Sequence, residues 1–202
     1  MVNLKKNRMR NLLIFFLFTS SLTFSQESKN EILTYQKALN DAYFDKEKSP
    51  LKPEEIIDFK GLNFYDYNTD FVVLAKLEKL KNENTFQMLT SSGKTQNYKR
   101  YGILKFHIQG KDFELEVYQN LNLIKRKGYE KHLFLPFIDL TSGNETYGAG
   151  RYLDIEIPDE NTIWLDFNKA YHPYCAYTSG YSCPITPDVN FLNIKVIAGV
   201  KF

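Results

Sequence analysis

The residues best suited to chemistry crowd into the C-terminal third, between positions 133 and 199. They are Asp139, Thr141, Gly143, Glu145, Thr146, Gly148, Gly150, Arg151, Asp154, Asp166, Asn168, Tyr171, Cys175 and Cys183. Arg151 ends a glycine-rich loop that also holds Asp139 and Glu145, and a guanidinium presents a planar fork that a carboxylate meets bidentately. Two outcomes are open: a buried salt bridge that locks the loop, or an Arg151 that binds an anion while Asp139 or Glu145 handles a proton. Gly148 and Gly150 would let backbone approach such an anion closely, although Gly-Ala-Gly-Arg is neither a Walker loop nor a dinucleotide fingerprint. In residues 162–168, Trp164, Asp166 and Asn168 alternate onto one strand face. Asp166 with Asp154 from a neighbouring strand would make a carboxylate dyad or an oxygen site for a hard cation. With Asn168 instead, it would make a hydrogen-bonded cluster that fixes the turn to Tyr171.

Cys175 and Cys183 have seven residues between them, on an aromatic, turn-rich segment. In an exported chain a disulfide is the default, and closing this ring stabilises by about 2.5 kcal/mol in the chain-entropy model. Adding His172 gives three soft donors at no standard zinc spacing, so neither a metal nor a cofactor is expected. His107 alternates onto a solvent face, and His132 opens a strand after a charged turn. Neither has a Ser and Asp partner at a Gly-x-Ser-x-Gly elbow, so a serine hydrolase is unsupported.

The elements that must position these groups change character along the chain. Ile32, Tyr35, Leu39, Ala42 and Tyr43 recur at spacings of three and four, which predicts an amphipathic helix over 27–46. Pro53 opens a short second helix over 53–57. After Asn68 the period becomes two and the apolar residues become β-branched and aromatic, predicting strands over 71–77, 85–89, 98–108, 113–117, 133–138, 151–157, 162–167 and 193–200. Strands with no helices between them cannot form a doubly wound parallel sheet, because each parallel crossover needs a dozen or more residues. The expected fold is mainly β, of the α+β type: an antiparallel β-barrel or sandwich with an N-terminal amphipathic helix.

Residues 1–25 stand apart. Lys5, Lys6, Arg8 and Arg10 precede the apolar run of residues 12–18, the pattern of a signal peptide cleaved before Gln26. The apolar tract is shorter than the roughly 20 residues a spanning helix needs, so no stable membrane insertion is expected once the leader is gone. Removing its four basic residues leaves 22 Lys plus Arg against 24 Asp plus Glu. No basic stripe remains for nucleic acid. The expectation is an exported protein, periplasmic, envelope-bound or secreted, with residues 26–202 forming one β-rich domain. Composition does not speak to its oligomeric state.

Several stretches are shared with a known family: residues 135–143 (LPFIDLTSG), 145–154 (ETYGAGRYLD), 166–171 (DFNKAY) and 173–177 (PYCAY). The chain resembles the bacterial domain-of-unknown-function 1684 family, and weaker likeness extends from Ser49 to Gly199. It departs at His172, where the family has Asn, and at Val200, where the family has an acid. The resemblance implies an address for the site and no reaction. The reading that joins these strands is a polar pocket binding a small polar or anionic molecule, with Asp139, Gly148, Gly150, Arg151, Asn168 and Tyr171 as ligand contacts. The alternatives are a hydrolase-like envelope enzyme using Glu145 or Asp166 as acid or base with Arg151 stabilising negative charge, and a structural or interaction protein whose polar groups satisfy one another.

Overall fold

The computed structural model describes residues 28–202; the expected leader lies outside them. Residues 28–44 are helical (α1); of the stripe that the three-and-four spacing marks, Ile32 and Tyr43 are buried and Tyr35, Leu39 and Ala42 half-buried, and Gln36 is buried beside them. The Tyr35 hydroxyl donates to the Lys169 carbonyl at 3.1 Å, and Gln36 Nε2 donates to the Asn168 carbonyl at 3.3 Å. Helix α2 (Pro53–Asp58) starts at its proline, and Glu55 accepts the Lys52 backbone N–H at 2.9 Å.

The strands are β1 (Asn63–Phe64), β2 (Val72–Lys79), β3 (Thr85–Leu89), β4 (Thr95–Ile108), β5 (Lys111–Asn120), β6 (His132–Asp139), β7 (Arg151–Glu156), β8 (Thr162–Asp166), β9 (Phe191–Leu192) and β10 (Val200–Lys201). They form a curled, half-barrel sheet in the order β7-β6-β5-β4-β2-β8, with β3 beside β4 and a separate β1–β10 pair. Every pairing is antiparallel except β6 with β9. The fold is mostly β with one long N-terminal helix, as the change of period implies. Among the described residues no helix is long and apolar enough to cross a membrane.

One irregularity decides what each face carries. In β4 the pairing with β5 runs Arg100 to Tyr118 and then Gly102 to Val117, so Tyr101 is an extra residue and the side chains change faces there. Beyond the bulge Leu104, Phe106 and Ile108 join Leu115, Val117, Leu133, Leu135, Phe137 and Leu153 in the main core. Before it, Tyr98 joins Met88, Tyr118, Phe134 and Tyr152 on the opposite face. Gly102 is required at the bulge, since a Cβ would lie 2.7 Å from the Glu78 carbonyl oxygen.

The strand expected over 193–200 is not one. Its alternation is real, with Ile194, Val196 and Ala198 buried, but only Val200 enters a strand. The carbonyls of Val196, Ala198 and Val200 accept hydrogen bonds from the Arg151 guanidinium, which supplies them with donors where a ladder would. Asn190 does similar work where β5 and β6 splay: its amide accepts from Glu116 N at 2.8 Å and donates to the Glu116 and Pro136 carbonyls.

Candidate functional site

The glycine-rich loop closes from inside. Arg151 and Asp139 have fully buried side chains and pair at 2.5 Å, and Arg151 also donates to the carbonyls of Ala198 (2.5 Å), Val196 (2.8 Å) and Val200 (3.2 Å). Thr141 donates to the other Asp139 oxygen through its backbone N–H at 2.6 Å and its hydroxyl at 2.5 Å. Gly150, at φ 96°, packs so closely that a Cβ would strike the Phe137 carbonyl oxygen, and Gly148 faces Gly143 across the loop. The guanidinium thus points into protein and not toward solvent. Glu145 lies apart from it, accepting from Tyr65 at 3.0 Å and Lys195 at 2.9 Å. The hydrogen bond from Lys195, then that from Tyr65, lowers its carboxyl below the ordinary value.

Asp166 and Asn168 form a local cluster. Asp166 Oδ1 accepts from Asn168 N (2.9 Å) and Nδ2 (2.8 Å), while the Asn168 amide accepts from Asn68 N and donates to its carbonyl, both at 2.9 Å. Asp154 is held elsewhere, and β7 and β8 are not neighbours in the sheet, so the dyad expected of Asp154 and Asp166 does not form. Among the described residues no three His, Cys, Asp or Glu side chains come together as a metal site. His172 is buried and hydrogen-bonded to Tyr147 N and the Tyr177 hydroxyl, and is no partner for the cysteines. Cys175 and Cys183 are joined in a disulfide.

Of the residues expected at a site, Asp154, Tyr171 and Cys183 line a recess of about 500 Å³ on the sheet face opposite the main core. Its floor comes from alternate residues: Tyr98 of β4, Asn120 of β5, His132 and Phe134 of β6, and Tyr152 and Asp154 of β7. One wall is the turn carrying Leu123, Arg126 and Tyr129, and the other is a strap from Tyr171 to Pro184 tied by the disulfide. The strap is anchored by Tyr171 pairing with Tyr152, by the Tyr152 hydroxyl donating to the Pro184 carbonyl, and by Ser91, whose backbone N–H donates to the Cys183 carbonyl at 2.9 Å.

The polar centre of the recess is Asp154. One oxygen lies 2.9 Å from His132 Nε2, and the other accepts the Tyr171 hydroxyl at 2.7 Å. With Nε2 donating, Nδ1 is the acceptor of the His132 ring, and it is buried without a hydrogen-bond partner among the described residues. Desolvation, then the Asp154 carboxylate, pushes the Tyr171 hydroxyl well above its usual range, so it remains a neutral donor. Burial raises the Tyr152 and Tyr98 hydroxyls as well. The arrangement offers a fixed carboxylate among ring surfaces, a binding chemistry more than a proton-transfer one. In the sequence His132 marks only the start of a strand after a charged turn and Phe134 stands out as no more than a strand residue; the signal was their alternation with the apolar Leu133 and Leu135, shared by Tyr152 and Asp154 around Leu153.

Comparison with known proteins gives a family and a fold. No curated protein matches the sequence. The solution NMR structure of an uncharacterized protein of Haloarcula marismortui is 29% identical, covers 89% of this chain and 97% of that one, and superposes with a TM-score of 0.68. The family model described as "Protein of unknown function (DUF1684)" matches residues 57–201, which span the whole sheet and both walls of the recess. The chain belongs to the DUF1684 family.

Proposed function

We propose that the protein is exported and holds a small polar molecule in the recess between the aromatic face of its sheet and the disulfide-tied strap. The observation that carries this reading is the Asp154 carboxylate, oriented by His132 and Tyr171 inside a concavity whose lining includes the rings of Tyr98, Tyr129, Phe134, Tyr152, Tyr174 and Tyr181. Its volume of about 500 Å³ is within the range of small-molecule sites, which are mostly apolar with a few placed polar groups. Export is supported by the basic-then-apolar leader and by a disulfide, a bond that persists in oxidising compartments.

The test is ligand-observed NMR and thermal shift on the oxidised protein against a library of small polar organic molecules. A bound molecule should raise the melting temperature in proportion to the logarithm of its concentration and perturb the resonances of Tyr98, His132, Tyr152 and Tyr171. Ligands that perturb only residues of the 139–151 loop would place the site elsewhere.

A further inference from the structure

We propose that the recess selects a cationic ligand, an alkylated ammonium group seated between aromatic rings and the Asp154 carboxylate; this rests on the reading that the recess binds a small molecule. The Tyr152 ring stands at 74° to that of Phe134, with centroids 4.7 Å apart, and at 88° to that of Tyr171, with centroids 5.9 Å apart. Tyr98 leans on Phe134 at 5.7 Å. Tyr98, Phe134 and Tyr152 are nearly buried against one another and form an aromatic floor, while the exposed rings of Tyr129, Tyr174 and Tyr181 line the walls. Aromatic faces carry partial negative charge, and a group of them attracts a cation, most strongly where water is displaced.

Asp154 adds a negative charge to the same wall, held in place by His132 and the Tyr171 hydroxyl, and among the described residues no lysine or arginine is ion-paired to it. Its side chain is 47% exposed, so a ligand can reach it. An alkylated ammonium matches both features, since its methyl groups pack against rings while its charge meets the carboxylate. A metal cation would not, because a hard ion needs six or more oxygen ligands and one carboxylate among rings cannot supply them. Arg126 lines the outer turn and is exposed. It would repel a ligand with no other charge and would favour one whose far end is acidic.

The experiment is calorimetry on protein expressed from the full-length chain with its disulfide intact. The probes are choline, its neutral isostere 3,3-dimethylbutan-1-ol, betaine and benzoate. Choline and betaine should each bind at least tenfold more tightly than the neutral isostere, and Asp154→Asn should weaken both ammonium probes at least tenfold while leaving the isostere unchanged. Betaine should lose affinity in Arg126→Gln. Equal binding of choline and its isostere overturns charge selection while leaving a ligand-binding recess in place. Tight benzoate binding that vanishes in Arg126→Gln also overturns it, in favour of an anion site. If no probe binds but the wider library finds a recess ligand, the ammonium proposal alone fails; if neither binds, the reading beneath it fails too. The contrast between choline and its isostere is made in the unmodified protein, so it stands even if Asp154→Asn does not fold.

Discussion

Replacing Asp139 by Asn removes one charge from the buried pair while keeping the side chain's shape. In the native protein Arg151 is fully buried and, among the described residues, Asp139 at 2.5 Å is its only ion-pair partner, with three carbonyls accepting from its terminal nitrogens while Nε has no partner among those residues. Asp139→Asn leaves those three contacts and strips away the only full countercharge in contact. Breaking a buried pair from one side costs about 3–5 kcal/mol because the surviving charge is left uncompensated. A domain of this size has about 5–15 kcal/mol in all, so the variant would survive near the edge of stability. With an m-value near 2 kcal/mol/M in urea, the midpoint should fall by about 2 M. Arg151→Met should cost at least as much, since it orphans the Asp139 carboxylate and three buried carbonyls together. Combining Arg151→Met with Asp139→Leu should cost less than the sum of the single changes, the coupling being the pair itself. Urea unfolding followed by intrinsic fluorescence, oxidised and at neutral pH, measures all of these. A midpoint shift below 0.5 M for Asp139→Asn would refute the argument that this pair locks the loop, and would return Arg151 to consideration as a ligand contact.

Three further outcomes follow from other parts of the structure. Gly150→Ala should destabilise by more than 2 kcal/mol, because the residue sits at φ 96° and the new methyl meets the Phe137 carbonyl oxygen; chemical denaturation measures it. Replacing both Cys175 and Cys183 by serine should lower Tm by roughly 5–10 °C, since opening the small ring loses about 2.5 kcal/mol, and calorimetry with and without reductant should show the same difference in the native protein. Burial, with a smaller contribution from Arg151, lowers His172 from 6.5 to about 3. A depressed folded-state value means the unfolded chain takes up the proton first, so this contribution to stability is complete above pH 6.5 and is lost as pH falls toward 3. His172→Asn should therefore flatten the drop in stability between pH 7 and pH 5 by about 2 kcal/mol, and the His172 ring resonances of the native protein should not titrate above pH 5.

Much of the architecture was legible without coordinates because it rests on local periodicity. Helix α1 turns inward the stripe its spacing marks, with Ile32 and Tyr43 buried and Tyr35, Leu39 and Ala42 half-buried, and the hairpin from Phe106 to Leu115 alternates as half-buried antiparallel strands must. The segment 193–200 shows the limit of that signal. Alternating burial is visible in Ile194, Val196 and Ala198, but what bonds the carbonyls of Val196 and Ala198 is a side chain more than 40 positions earlier. The pairing of the cysteines was legible too, because two cysteines separated by seven residues in a chain expected to be exported favour a short ring whatever the rest of the chain does.

The place of the recess was a different matter. An arginine, two acids and three glycines within thirteen positions suggest a polar site, but close packing on the Phe137 carbonyl and the carbonyls of the C-terminal segment turned that arginine inward. Sequence alone determined which side chains alternate, where the helix lies, and that the C-terminal third carries unusual polar groups. Tertiary structure decided which face those groups occupy. One extra residue at Tyr101 moves Tyr98 onto the face of Phe134 and Tyr152, and the meeting of the strap with β7 places the Tyr171 hydroxyl on Asp154. The physical reason is that face and register depend on hydrogen bonds between segments far apart in the chain, and a local pattern carries no record of its distant partner.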